Sequence, residues 1–148
     1  MYLGIDPGNT GAIAAIHPNG LVSIWDMPLN YNKDFVDCVE LSMLLKNPGH
    51  IFLEQVASRP TDGRSSLAKF MTCYGAIRAC VAISAQDATL VLPQVWKRAL
   101  GLLKQPKEAS IELARSLYPD ASPSLKRKKD HNRAEALLIA HYGKSLNE

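Results

Sequence analysis

Between residues 2 and 27 the chain carries three short apolar runs whose connections are too short to hold a helix. "YLGI" occupies 2–5, "GAIAAI" 11–16 and "LVSIWDM" 21–27. "DPGN" lies between the first two and "HPNG" between the second and third, both dense in turn-forming residues. Strands joined this tightly pair antiparallel, because a parallel return needs a crossover of a dozen or more residues. The chain therefore opens as a β-meander.

Helices and strands alternate beyond it. Residues 34–46 read as a helix, with Phe35, Cys38, Val39, Met43 and Leu44 at helical spacing, Asp34 as its cap and Asn47-Pro48-Gly49 as its stop. "HIFLEQV" is a fourth strand, and "ASRPTDGRSS" is a loop. A helix over 65–83 carries Phe70, Cys73, Tyr74, Ile77 and Val81 along one face. "ATLVLP" is a fifth strand, followed by helices over 94–103 and 106–117. "YPDASPSLKRKKD" is a basic loop, and the last helix runs over 130–142 with Gly143 as its stop. The order predicts one α/β domain over 1–148: a mixed five-stranded sheet, antiparallel at first and then parallel through βα crossovers, flanked by helices.

At 148 residues and 47% hydrophobic, the chain has material for a substantial core. The three cysteines Cys38, Cys73 and Cys80 have no CxxC spacing, which argues against a disulfide framework or a thiolate metal site. No apolar stretch is read as approaching the ~20 residues of a bilayer span, and the start lacks a signal-peptide pattern. The expectation is a cytoplasmic, reduced protein with no membrane partner. Between residues 96 and 129 nine lysines and arginines face three acids, an excess of six positive charges that suits a polyanion such as nucleic acid.

Acids fall at element ends. Asp6 closes the first strand and Glu54 the fourth, and Asp130 and Glu135 stand at the start of the last helix. If strands one and four are parallel neighbours, Asp6 and Glu54 emerge at the same sheet edge. Carboxylates a few ångströms apart repel unless a cation sits among them, and hard oxygen donors favour Mg²⁺ or Mn²⁺. Two such ions about 4 Å apart can drive phosphodiester hydrolysis. Asp6 and Glu135 also have plainer readings. Asp6 suits an Asx turn. Glu135 can pair with Arg133 or cap its helix. Glu54, among core-type residues, finds no partner in its flanking sequence.

Taken together, "LGIDPGNTGAIA", "IFLEQV" and "DHNRAEALLIAHYG" resemble, in order and spacing, three motifs of RuvC-like Holliday junction resolvases. The resemblance covers nearly the whole chain and implies an RNase H-like fold. It departs from the bacterial pattern at Asn132, where an aspartate is usual three residues before the last acid. The "DH-x-RAEALLIA" pattern looks more like the phage-type branch, with Asp130 and Glu135 as acids. His131 shares a helical face with Glu135 and is a ligand, a proton carrier or a helix cap. The second departure is Ala57, where bacterial resolvases carry an aromatic wedge; Phe70 and Tyr74 have spacing that suits the core.

The resemblance implies a Mg²⁺-dependent endonuclease of DNA recombination and repair that resolves four-way junctions, with Mn²⁺ as a substitute. Asp6, Glu54, Asp130 and Glu135 would be its metal ligands. Lys97, in "LPQVWKRALGL", matches the lysine near the scissile phosphate; alternatively it points outward from a helix anchored by Trp96 and Leu100. Arg59, Arg64, Lys97 and the run Lys126, Arg127, Lys128, Lys129 are the expected DNA contacts. The helix over 65–83 is the expected homodimer surface. The rivals are an RNase H-fold nuclease for flaps, forks or RNA–DNA hybrids, and a non-catalytic nucleic-acid-binding module.

Overall fold

The computed structural model describes residues 1–46, 49–56, 63–84 and 88–147. Five strands form one sheet: β1 (Tyr2–Asp6), β2 (Ala12–Ile16), β3 (Val22–Asp26), β4 (His50–Glu54) and β5 (Ala88–Val91), in the order β3-β2-β1-β4-β5. β1, β2 and β3 pair antiparallel, whereas β1–β4 and β4–β5 are parallel, as the connection lengths dictate. Among the described residues five α-helices complete the fold: α1 (Cys38–Leu44), α2 (Arg64–Ser84), α3 (Pro93–Ala99), α4 (Lys107–Leu117) and α5 (His131–Ser145).

Alternation along each strand sends successive side chains to opposite faces and so builds two cores. Leu3, Ile5, Ile13, Ala15, Ile51 and Leu53 face α1 and α2, where Leu41, Leu45, Cys73, Tyr74, Ile77, Cys80 and Val81 meet them. Ala12, Ala14, Ile16 and Phe52 face the other way, towards α3, α4 and α5. By the same alternation Asp6 shares a face with Gly4, and Glu54 with Phe52. Both acids therefore turn towards α5. The β1–β4 register pairs Ile5 with Leu53, so one further step sets Asp6 opposite Glu54.

α5 lies directly on that face. Ala134, Ala136, Leu137, Leu138, Ile139 and Ala140 are all fully buried, the composition of a helix enclosed on most sides. Its approach to β1 is closer than any side chain would permit. A Cβ at Gly4 would collide with the backbone oxygen of Ala136 and the backbone nitrogen of Ala140. Gly143 does the same for β4, since a Cβ there would enter the ring of Phe52. Gly143 is thus an interior contact residue of α5, which continues to Ser145, and not the stop expected for it.

α1 begins later than its periodicity implies. Asp37, not Asp34, caps it, accepting from the backbone N–H groups of Val39 and Glu40, both at 3.0 Å. The shortened helix buries Leu41 and leaves Val39 and Met43 outside, at 67% and 61% exposure. The expected apolar face is therefore displaced. α2 runs as expected, but its 21 residues are long and apolar enough to cross a bilayer by length and composition, contrary to the sequence reading. Cys73, Tyr74, Ile77, Cys80 and Val81 commit one of its faces to the sheet. Of the basic loop, residues Pro119–Ser124 and Lys128–Asp130 form short 3₁₀ turns anchored by buried Ala121 and Leu125.

Because backbone atoms fill the space beside Gly4, Gly4→Ala should destabilise the protein by roughly 3 kcal/mol. Urea unfolding should report this as a lowered midpoint with an unchanged slope. A midpoint within error of the wild type would contradict so tight a seam.

Candidate active site

Three carboxylates meet at the end of β1. Asp6 is nearly enclosed, at 9% exposure. Burial holds its carboxyl well above the usual carboxylate range; repulsion from Glu54 and then Glu135 adds to this, and Lys97 and Lys107 oppose it. Asp6, Glu54 and Glu135 are therefore electrostatic neighbours, although 81 residues separate the last two in sequence.

α3 supplies a partner to each of the other two acids. Trp96, fully buried, donates its Nε1–H to Glu54 Oε2 at 2.8 Å. Lys97 places Nζ 2.9 Å from Glu135 Oε1, and Ser110 on α4 donates to the same oxygen at 3.4 Å. The ammonium also lies 5.0 Å from the centre of the Trp96 ring. Glu54 thus has the partner that its flanking sequence lacks, and Lys97 turns inward to the acids instead of outward. Glu135 does not pair with Arg133, which instead grips Asp26 through two 2.6 Å hydrogen bonds.

A cavity of about 300 Å³ opens on Asp6 and Glu135 of this cluster. Asp6, Glu135 and His131 line it with Lys97, Lys104, Lys107, Ser110 and Asn132. Lys104 and Lys107 flank Pro106 and enter only because the α3–α4 connection folds back over the acids. Their part in the total charge was visible in the sequence, but not their place. Asn132 hydrogen-bonds the carbonyl of Thr10, tying α5 to the β1–β2 turn. His131 directs Nδ1 to the carbonyl of Lys128 at 3.2 Å.

Asp130 is placed apart from this group. It is 3% exposed and does not line the acid cavity. Its carboxylate accepts from Arg127 Nη2 at 2.8 Å and from the Arg127 backbone N–H at 2.8 Å, and Arg133 Nη1 stands 3.8 Å away. Burial pushes its pKa up, but the Arg127 bonds outweigh that and hold it below the usual range. Lys128 pairs with Glu108 at 2.9 Å, and Arg64, Lys126 and Lys129 are exposed. Arg59 and Ala57 lie outside the described residues.

The donor set has the chemistry of a hard divalent cation site. Three carboxylates share one low-dielectric edge, and a cation there would offset the repulsion that, after burial, raises the pKa of Asp6. Among the described residues no three His, Cys, Asp or Glu side chains already stand at metal-holding separation. In their place Lys97 provides the positive charge beside Glu135.

The mixed five-stranded sheet flanked by helices is an RNase H-like fold. More narrowly, the architecture is that of Thermus thermophilus RuvC. A structure of that protein in complex with a Holliday junction substrate superposes with a TM-score of 0.64 at 13% identity, over 97% of this chain and 94% of that one. A second structure of Thermus thermophilus RuvC gives 0.61 at 16% identity, over 98% and 95%. In sequence, 46 residues are 54% identical to the chloroplastic Holliday junction resolvase MOC1 of Chlamydomonas reinhardtii. That stretch is 30% of this chain and 5% of the relative's length. No family model matches the chain.

The two buried aspartates should respond oppositely to pH. The raised pKa of Asp6 means its ionisation costs stability, absent below about pH 4 and growing as pH rises through the folded-state value. Asp6→Asn should therefore melt higher than the wild type at pH 8 in EDTA and match it near pH 4. Asp130 has a lowered pKa, so its contribution is present at neutral pH and fades as pH falls below the carboxylate range. Asp130→Asn should melt lower at pH 8 and converge on the wild type in acid. Thermal melts at both pH values check the signs; a destabilised Asp6→Asn at pH 8 would contradict the repulsion.

Proposed function

We propose that this chain is a metal-dependent endonuclease of the RuvC type that cuts four-way DNA junctions. The observation that carries the reading is the meeting of Asp6, Glu54 and Glu135 at one edge of the sheet, beside three lysines. It is supported by the fold of a protein solved with a Holliday junction substrate, and by a stretch shared with a chloroplastic Holliday junction resolvase.

Asp6, Glu54 and Glu135 would hold divalent cation, with His131 as the further donor in place of Asp130, whose carboxylate is engaged by Arg127. Mg²⁺ fits this oxygen-rich set, and Mn²⁺ would substitute. When bound, such an ion polarises a phosphoryl oxygen and lowers the pKa of a coordinated water. The chain's own residues do the rest. Lys97, whose Nζ lies 2.9 Å from Glu135, would direct its ammonium at the charge that develops on the phosphate. Lys104 and Lys107 line the same cavity and draw the phosphodiester in. Trp96 fixes the Glu54 carboxylate through Oε2. The product would carry a 5′-phosphate and a 3′-hydroxyl.

Arg64, Lys126 and Lys129 are exposed to contact backbone phosphates, while Arg127 and Lys128 already hold Asp130 and Glu108. A homodimer would supply two such sites for the two symmetric strands of a junction. The face of α2 turned away from the sheet fits that role. Ile83 and Met71 stand 85% and 40% exposed on it, and Val39 and Met43 project from adjacent α1.

Cleavage of a synthetic four-way junction, with each strand labelled in turn, tests the reading. The protein should make paired, symmetric nicks that require Mg²⁺ or Mn²⁺. Forks, flaps and hybrids should be cut more slowly. Asp6→Asn should cut at least about a hundredfold more slowly while still retarding the junction in a gel. Junctions left intact in both metals, or cut at an unchanged rate by Asp6→Asn, would overturn it.

A further inference from the structure

Between β3 and α1 the chain forms a braced hairpin. Leu29 and Val36 make an antiparallel bridge, Asn30 N donates to the carbonyl of Phe35 at 2.9 Å, and Asp37 N to that of Pro28 at 2.9 Å. At the tip, Asn30 holds the turn with its side chain, donating to Asp34 Oδ1 at 2.8 Å and accepting from Asp34 N at 3.2 Å. Lys33 closes it in the left-handed region, at φ 56°. The β1–β2 turn that follows Asp6 is tied on as well, since Asn9 Nδ2 donates to the carbonyl of Asp34 at 3.1 Å. This fixed scaffold displays Tyr31 with its side chain 100% exposed.

The hairpin forms one wall of a groove of about 960 Å³. Tyr31 and Lys33 line that wall, and Arg127 and Lys129 line the groove as well. The acids within it, Asp26 and Asp130, are balanced by Arg133 and Arg127, so Lys33 and Lys129 give the groove its positive balance. His131 and Asn132 line both this groove and the acid cavity, so the two are continuous. A polyanionic strand bound at the acids would have its path laid out into the groove.

We propose that the strand bound at the acids continues into this groove and that Tyr31 stacks on a base exposed at the branch point. This rests on the nuclease reading above. The ring suits a base because stacking on an aromatic face is tolerant of sequence. Bases inside a duplex already have both faces covered and offer nothing to such a ring. A base at a strand exchange offers an open face. The hairpin bracing keeps the ring in place before binding, which lowers the ordering cost of the contact. Tyr31 would thus favour branched over linear DNA, while the acids carry out the cutting.

The test uses junctions with 2-aminopurine at successive positions around the branch point, in EDTA so that no strand is cut. The wild type should change the fluorescence at one or two positions. Tyr31→Phe and Tyr31→Trp should keep that change. Tyr31→Ala should lose it, and its preference for junction over linear duplex should fall roughly tenfold. Tyr31 is fully exposed, so its replacement leaves the fold intact. A Tyr31→Ala protein that keeps both the signal and the preference would overturn the assignment. So would a wild type that binds and cuts junctions with no response at any position, and the nuclease reading would then stand alone. A wild type that neither binds nor cuts junctions would end both.

Discussion

Everything at the acid edge depends on how closely α5 can approach β1. Two glycines, Gly4 on the strand and Gly143 on the helix, leave out the side chains that would hold the layers apart. Alanines at 134, 136 and 140 keep the rest of the seam thin. With the helix this near, its first turns reach the end of β1, and Glu135 faces Asp6. A conventional seam of leucines would hold the helix further from the sheet and would separate these carboxylates. The small residues therefore act on function through distance, not through chemistry of their own.

That proximity leaves an electrostatic imbalance. Asp6 is buried among like charges, and part of the repulsion is relieved by Lys97 at Glu135 and by the Trp96 indole at Glu54. Two consecutive residues of one short helix thus steady two acids from different elements. The buried aspartate a few residues away is the opposite case. Asp130 is fully engaged by Arg127, and together with the Arg133–Asp26 pair it clamps the start of α5 to the end of β3. Burial and neighbouring carboxylates raise the pKa of Asp6, whereas the bonds from Arg127 lower that of Asp130.

Much of this was legible in the sequence because it is local. Connection lengths alone dictate the meander, and alternation with apolar runs gives β4 and its terminal Glu54. The crossover then places Asp6 and Glu54 at one edge, as the parallel register bears out. What was not legible depends on contacts across the chain. Periodicity around Phe35 continues smoothly into α1, so the Asn30–Asp34 turn and the true cap at Asp37 are hidden until the hairpin closes. Gly143 reads as a stop because sequence gives no sign of the Phe52 ring that will lie against it. The partner of Glu54 sits 42 residues away. Asp130 reads as a ligand by its position, and sequence gives no sign of the Arg127 contacts that engage it.

The central claim is that acids from β1, β4 and α5 converge to bind divalent cation. Anomalous diffraction from crystals soaked in manganese measures this most directly. The account predicts a strong peak within ligand distance of the carboxylates of Asp6 and Glu135, with the ammonium of Lys97 withdrawn from Glu135. A map with no peak at that edge, or with its manganese on Asp130 while Lys97 still holds Glu135, would contradict it.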